Sequence, residues 1–137
     1  MRYMLDTNAV SDLVIDPGGT VAQRIGEVGE ENVFTSVLVS AELLFGVKKR
    51  ASAELATKVG NVLSKLFIAS FDPPADTRYA EIRLHLNQQG KPIGPNDFWI
   101  AAHALALDAV LVTGNEREFS RVPGLKVENW LRNDPAT

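Results

Sequence analysis

The chain has 137 residues, 45% hydrophobic and 23% charged, ordinary proportions that exclude a disordered or fibrous protein. Seventeen acidic residues outnumber fourteen basic ones for a formal charge of −3, so the molecule does not coat nucleic acid as a polycation and any such site must be local. There is no cysteine, and the two histidines are His85 and His103; this excludes a disulfide scaffold, a thiol nucleophile, an iron–sulfur cluster and a zinc–cysteine site.

At ~100–200 residues per domain, one domain over residues 1–137 is expected. No stretch approaches the ~18 uninterrupted apolar residues of a membrane span, and the N-terminus shows no leader pattern, so a cytoplasmic protein is expected.

Residues 2–5 form a short apolar burst ending at Asp6, and Ala9, Val10, Leu13 and Val14 follow at helical spacing. After the breaker Asp16-Pro17-Gly18-Gly19, residues Val21, Ala22, Ile25 and Val28 predict a short helix ending near Gly29, then a strand at Val33-Phe34-Thr35. Ser36 can cap a helix with an apolar face of Val37, Leu38, Ala41, Leu44 and Phe45, expected to fade after Gly46. Further helices are expected over 52–66, 75–89 and 96–107, with strands at 67–71 and 109–113 and a last edge strand at 126–128. Strands alternating with helices predict a three-layer α/β/α domain with a central parallel sheet, whose ligands gather at the carboxyl ends of the strands.

The informative feature is where the acids fall. Asp6 stands where the first strand ends, with Thr7 and Asn8 able to orient it; capping of the next helix is the alternative. Glu42 lies on or beside an apolar helix face, either buried there or snorkelling from its border. Asp97 opens a nearly all-apolar helix, where the macrodipole alone would also favour it. Asn115, Glu116 and Glu118 follow the 109–113 strand. If these acids converge, their repulsion needs protons or a cation, and an oxygen-only ligand set favours Mg²⁺ or Mn²⁺. His103, on an alanine-rich helix, reads as a core or interface residue.

The dispersed motifs Met4-Leu5-Asp6-Thr7-Asn8, Ser40-Ala41-Glu42-Leu43, Asn96-Asp97 with Ile100-Ala101-Ala102-His103-Ala104, and Leu111-Val112-Thr113 through Arg117-Glu118-Phe119 to Trp130 together resemble a PIN-domain VapC-type toxin over essentially the whole chain. That resemblance implies a PIN-like fold and a metal-dependent endoribonuclease, the toxin of a type II toxin–antitoxin pair. It implies a VapB-like antitoxin partner, operator DNA contacted only through the complex, and an RNA substrate, with tRNA a candidate. By position, Asp6, Glu42 and Asp97 match the family's acidic core and Mg²⁺ ligands, and Glu118 its more variable fourth acid. Many relatives carry an acid where this chain has Asn115, which leaves Glu118, Glu116 and Asn115 as alternatives for completing the site.

Lys48-Lys49-Arg50, Lys91 and Arg117 are candidate phosphate collectors. The helices over 52–66 and 75–89 are candidates for a homodimer face or an antitoxin groove. Two rival readings are a non-catalytic RNA-binding or repressor-complex module and a haloacid-dehalogenase-like phosphatase. The phosphatase requires an acid where Asn8 stands.

Overall fold

The computed structural model describes residues 1–131. Strand β1 (Tyr3–Leu5) is followed by α1 (Thr7–Ile15), α2 (Thr20–Val28), a 3₁₀ turn at Glu30–Asn32 and β2 (Val33–Ser36). Helices α3 (Val37–Arg50) and α4 (Ala53–Lys65) lead to β3 (Phe67–Ala69), and α5 (Ala75–Gln88) and α6 (Pro95–Ala106) to β4 (Val110–Val112). The short α7 (Glu116–Phe119) precedes β5 (Val127–Glu128).

All strand pairs are parallel, in the order β3-β2-β1-β4-β5. The central strands β2 and β4 are buried on both faces, as expected of a sheet covered by helices on each side. One apolar core runs through the sheet and its helices, from Met4, Leu5 and Val10 to Leu111, Val112 and Phe119. The α/β architecture with a central parallel sheet is therefore as the sequence predicts.

Several boundaries differ, each for a physical reason. Helix α3 does not fade after Gly46 but runs to Arg50, where Lys48, Lys49 and Arg50 occupy the last turn and Ala51 closes it in the left-handed conformation at φ 53°; cations there complement the helix dipole. Its buried seam is Val39, Ser40 and Leu43, whereas Val37, Leu44 and Phe45 are exposed. The apolar face assumed from spacing is thus rotated, and Glu42 sits half-buried at the border of the true seam. Strand β3 stops at Ala69 rather than residue 71, because the Ser70 carbonyl accepts from His103 instead of extending the ladder.

Among the described residues no helix is long and apolar enough to cross a membrane.

Candidate active site

Strands β1, β2 and β3 extend the sheet in one direction and β4 and β5 in the other, so the order reverses between the neighbours β1 and β4. The carboxyl ends of strands flanking such a reversal form the crevice where open α/β sheets receive ligands. All four predicted acids arrive there. Asp6 leaves the end of β1, Glu42 comes from the second turn of α3, Asp97 from the first turn of α6, and Glu118 from α7.

Asp6 is only 5% exposed. Its backbone N–H donates to the Val112 carbonyl at 3.0 Å, locking it across β1 and β4, and its Oδ1 accepts from the Ala9 N–H at 3.0 Å, capping α1. Capping and membership of the acidic group are therefore both true of this residue. Burial pushes its carboxyl above the ordinary range, while the Thr113 hydroxyl and the Ala9 and Asn8 N–H groups pull it back and the Glu42 charge raises it further.

Of the two residues expected to orient Asp6, Asn8 does so through its backbone N–H, while Thr7 does something else. The Thr7 hydroxyl donates to Glu42 Oε2 at 2.9 Å, fixing the acid of α3 to the start of α1. Asp6 is instead steadied by Thr113, which is fully buried at the end of β4. Thr113 Oγ1 also accepts from the Asn115 N–H at 2.9 Å, so one side chain ties Asp6 to the loop that carries Glu118.

Asp97 and Glu118 form the second half of the site. Burial pushes the Asp97 carboxyl up to about 7, aided by a hydrogen bond with Glu118 and by the charges of Glu118, Asp6 and Glu42. Burial also opposes ionisation of Glu118, yet the bond with Asp97, the Asn115 amide, the Gly94 N–H and the Arg121 charge hold it below the ordinary range. The two carboxyls thus titrate as a pair, with Asp97 the more readily protonated of the two. Gly94 N–H donates to Glu118 Oε1 at 3.2 Å, and the Asn115 amide donates to Glu118 Oε2. A Cβ at Gly94 would lie 3.2 Å from Asp97 Oδ2, so the missing side chain leaves room for the Asp97 carboxyl at the start of its own helix.

Among the alternatives for the fourth position, Glu118 stands beside Asp97. Glu116 Oε1 accepts from Asn129 Nδ2 at 2.9 Å, and Asn115 orients Glu118. His103 is buried as anticipated, with Nε2 3.0 Å from the Ser70 carbonyl and Nδ1 2.7 Å from Ser36 Oγ. Since a carbonyl only accepts, Nε2 carries the proton and Nδ1 accepts from Ser36; burial holds this imidazole below its ordinary pKa.

The donor set is purely oxygen, and the neighbouring carboxylates raise the proton affinity of Asp6 and Asp97. Both properties fit a hard divalent cation, which would replace the proton on Asp97 as charge compensation. Among the described residues no three His, Cys, Asp or Glu side chains stand arranged to hold a metal ion; the fit lies in donor chemistry and charge, not in a closed ligand shell. Lys48, Lys49, Arg50, Lys91 and Arg117 are all exposed. Sequence reasoning missed Arg121, whose charge reaches Glu118, and the role of Thr113, whose only signal was its place one residue beyond a strand that proves to adjoin β1.

The model of the PIN domain matches residues 3–125. The chain is 39% identical over 132 residues to ribonuclease VapC2 of Rickettsia felis, covering 95% of this chain and 98% of that relative. It is 35% identical to the tRNA(fMet)-specific endonuclease VapC of Shigella flexneri, again covering 95% and 98%. The crystal structure of VapBC2 from Rickettsia felis bound to a DNA fragment from their promoter superposes with a TM-score of 0.87 at 37% identity, covering 95% of this chain and 99% of that one. Near-complete coverage in sequence and in shape places the chain in the PIN-domain family of VapC ribonucleases.

Proposed function

We propose that this chain is the toxin of a VapBC-type toxin–antitoxin pair, an Mg²⁺-dependent endoribonuclease that hydrolyses RNA phosphodiester bonds in the cytoplasm and so inhibits translation. The observation that carries this reading is the convergence of Asp6, Glu42, Asp97 and Glu118 at the sheet reversal, with Asp97 pushed up to about 7 by its neighbours. A site built to store acid protons near neutrality is built to exchange them for a cation. Structured RNA is recognised mostly at exposed single-stranded loops, and tRNA is the substrate class we infer, supported by the Shigella relative's designation.

Asp6, Glu42 and Asp97 would hold the ion. Bound there, it supplies a water of lowered pKa and offsets charge on the phosphate. Thr113 fixes the Asp6 carboxylate, and Thr7 fixes Glu42. Glu118, oriented by Asn115 and Gly94, lies beside Asp97 and steadies that carboxyl. The exposed Lys91 and Arg117 draw phosphates towards a pocket whose own charge repels them. A VapB-like antitoxin is the partner that restrains this activity, and operator DNA is reached through that complex, as in the DNA-bound Rickettsia assembly. We further infer that the toxin works as a homodimer; the exposed Val37, Leu44 and Phe45 of α3 support a protein contact there.

The decisive experiment incubates antitoxin-free protein with tRNA in Mg²⁺. Cleavage is expected, and it disappears with chelator and in Asp6→Asn or Asp97→Asn. Cutting that persists in both variants rejects the reading.

A further inference from the structure

His103 lies on α6, six residues beyond Asp97, and Ser36 lies six residues before Glu42 on the strand end that becomes α3. Six helical residues span ~9 Å, so the two acids are carried on short rigid levers that start from one contact. That contact is the 2.7 Å bond from the Ser36 hydroxyl to His103 Nδ1. Ser36 Oγ simultaneously accepts from the Leu38 N–H at 3.0 Å, capping α3. On its other side the ring donates from Nε2 to the Ser70 carbonyl at 3.0 Å, and the Phe71 ring packs edge-on with centroids 5.2 Å apart. Ser70 is itself fixed by its hydroxyl, which donates to Asp72 Oδ2 at 2.7 Å. Both ring nitrogens are thus satisfied in a residue only 1% exposed. The imidazole joins the ends of β2 and β3 to the last turn of α6.

We propose that His103 is a positioning residue: by holding Ser36 and the Ser70 carbonyl at once, it sets the separation of Glu42 and Asp97 and hence the affinity of the acidic site for a divalent cation. The inference rests on the cation-binding reading given above. An isolated core histidine would need only to be buried and satisfied. This one bonds the capping residue of one acid-bearing helix from within the other. Outer-shell groups that orient metal ligands typically alter affinity by about 10–100-fold.

The test is calorimetric titration of the full chain with Mn²⁺, alongside thermal unfolding. His103→Leu removes both hydrogen bonds, whereas His103→Gln offers an amide oxygen to Ser36 and an amide N–H to Ser70. His103→Leu is expected to weaken Mn²⁺ binding about tenfold, with His103→Gln recovering most of the loss. Ser36→Ala, which deletes the hydroxyl from the opposite partner, is expected to weaken binding similarly and keeps the question open to measurement should His103→Leu not fold. Val59→Ala, a core truncation in α4, controls for lost stability and should bind as wild type. Wild-type affinity in His103→Leu and Ser36→Ala overturns the inference alone, as does a His103→Gln variant as weak as His103→Leu. Failure of the wild type itself to bind Mn²⁺ overturns the reading of the site and takes this inference with it.

Discussion

The two edges of the sheet are opposites. At the carboxyl edge, four carboxyls crowd together. At the amino edge, a groove of about 490 Å³ is lined mainly by apolar side chains, among them Leu13, Ile25, Val33 and Val62, with Glu30 and Lys65 also on its wall, and continues past the exposed Ile15. The groove is mostly apolar, whereas the crevice holds the carboxyls whose ionisation is opposed. In this molecule chemistry is marked by charges that resist ionisation, and volume marks a surface whose apolar lining suits contact with another chain.

The sharpest way to break that contrast is to neutralise one edge at a time. Asp6→Asn and Asp97→Asn are expected to lower tRNA cleavage by at least ~100-fold, measured by gel assay at fixed Mg²⁺. Asparagine caps a helix as well as aspartate does, so α1 should survive in Asp6→Asn and circular dichroism should be unchanged. Val62→Ala in the amino-edge groove should leave cleavage within about twofold. Equal losses at the two edges would dissolve the distinction.

Glu118→Gln probes the Asp97 side of the site. It is expected to reduce cleavage by roughly 10-fold, since it orients rather than neutralises. It should also bring the Asp97 carboxyl down towards its ordinary value, visible by carboxyl NMR titration, because the Glu118 charge that helps raise it is gone.

Stability against pH gives a smaller and independent signal. The folded-state pKa of Asp97, about 7, lies above its ordinary 3.8. Its favourable contribution is therefore complete below about pH 4 and is lost as pH rises through about 7. Without metal, wild-type melting temperature should fall across that window, and Asp97→Asn should flatten the fall. Because Asp97 is only partly buried and its proton is coupled to Glu118, the effect is about 1 kcal/mol. Mg²⁺ should restore the lost stability at pH 8 by binding only the folded state; identical melting curves with and without Mg²⁺ would count against the site. The smallest change is expected from Thr113→Val, roughly threefold in cleavage, with the Asp6 pKa rising further once its hydroxyl donor is gone.

Much of this was legible in the chain itself. Period and punctuation locate every described strand, because short apolar runs between breakers leave few other options. Asp6, Glu42 and Asp97 stood out because each ends, borders or opens an apolar pattern, whereas Glu118 was singled out from Glu116 and Asn115 only by the family resemblance. What the pattern could not supply was orientation. Thr7 and Asp6 are sequence neighbours, yet the helix start turns Thr7 towards Glu42, 35 residues away. The exposed stripe of α3 was misassigned because Leu44 and Phe45 are as apolar as the true seam. Arg121 follows Glu118 by three residues, a local spacing whose meaning depends on which acid of the turn joins the site.

The pairing of β1 with β4 joins Leu5 to Val112, residues from opposite ends of the chain. During synthesis the first strand can pair with β2 early, but its other edge stays open until β4 has been made, and Thr113 and Glu118 arrive later still. A ribosome-bound precursor shorter than that contains Asp6 and Glu42 but no assembled crevice. The order of the strands thus delays assembly of the acidic crevice until β4 and α7 have been made.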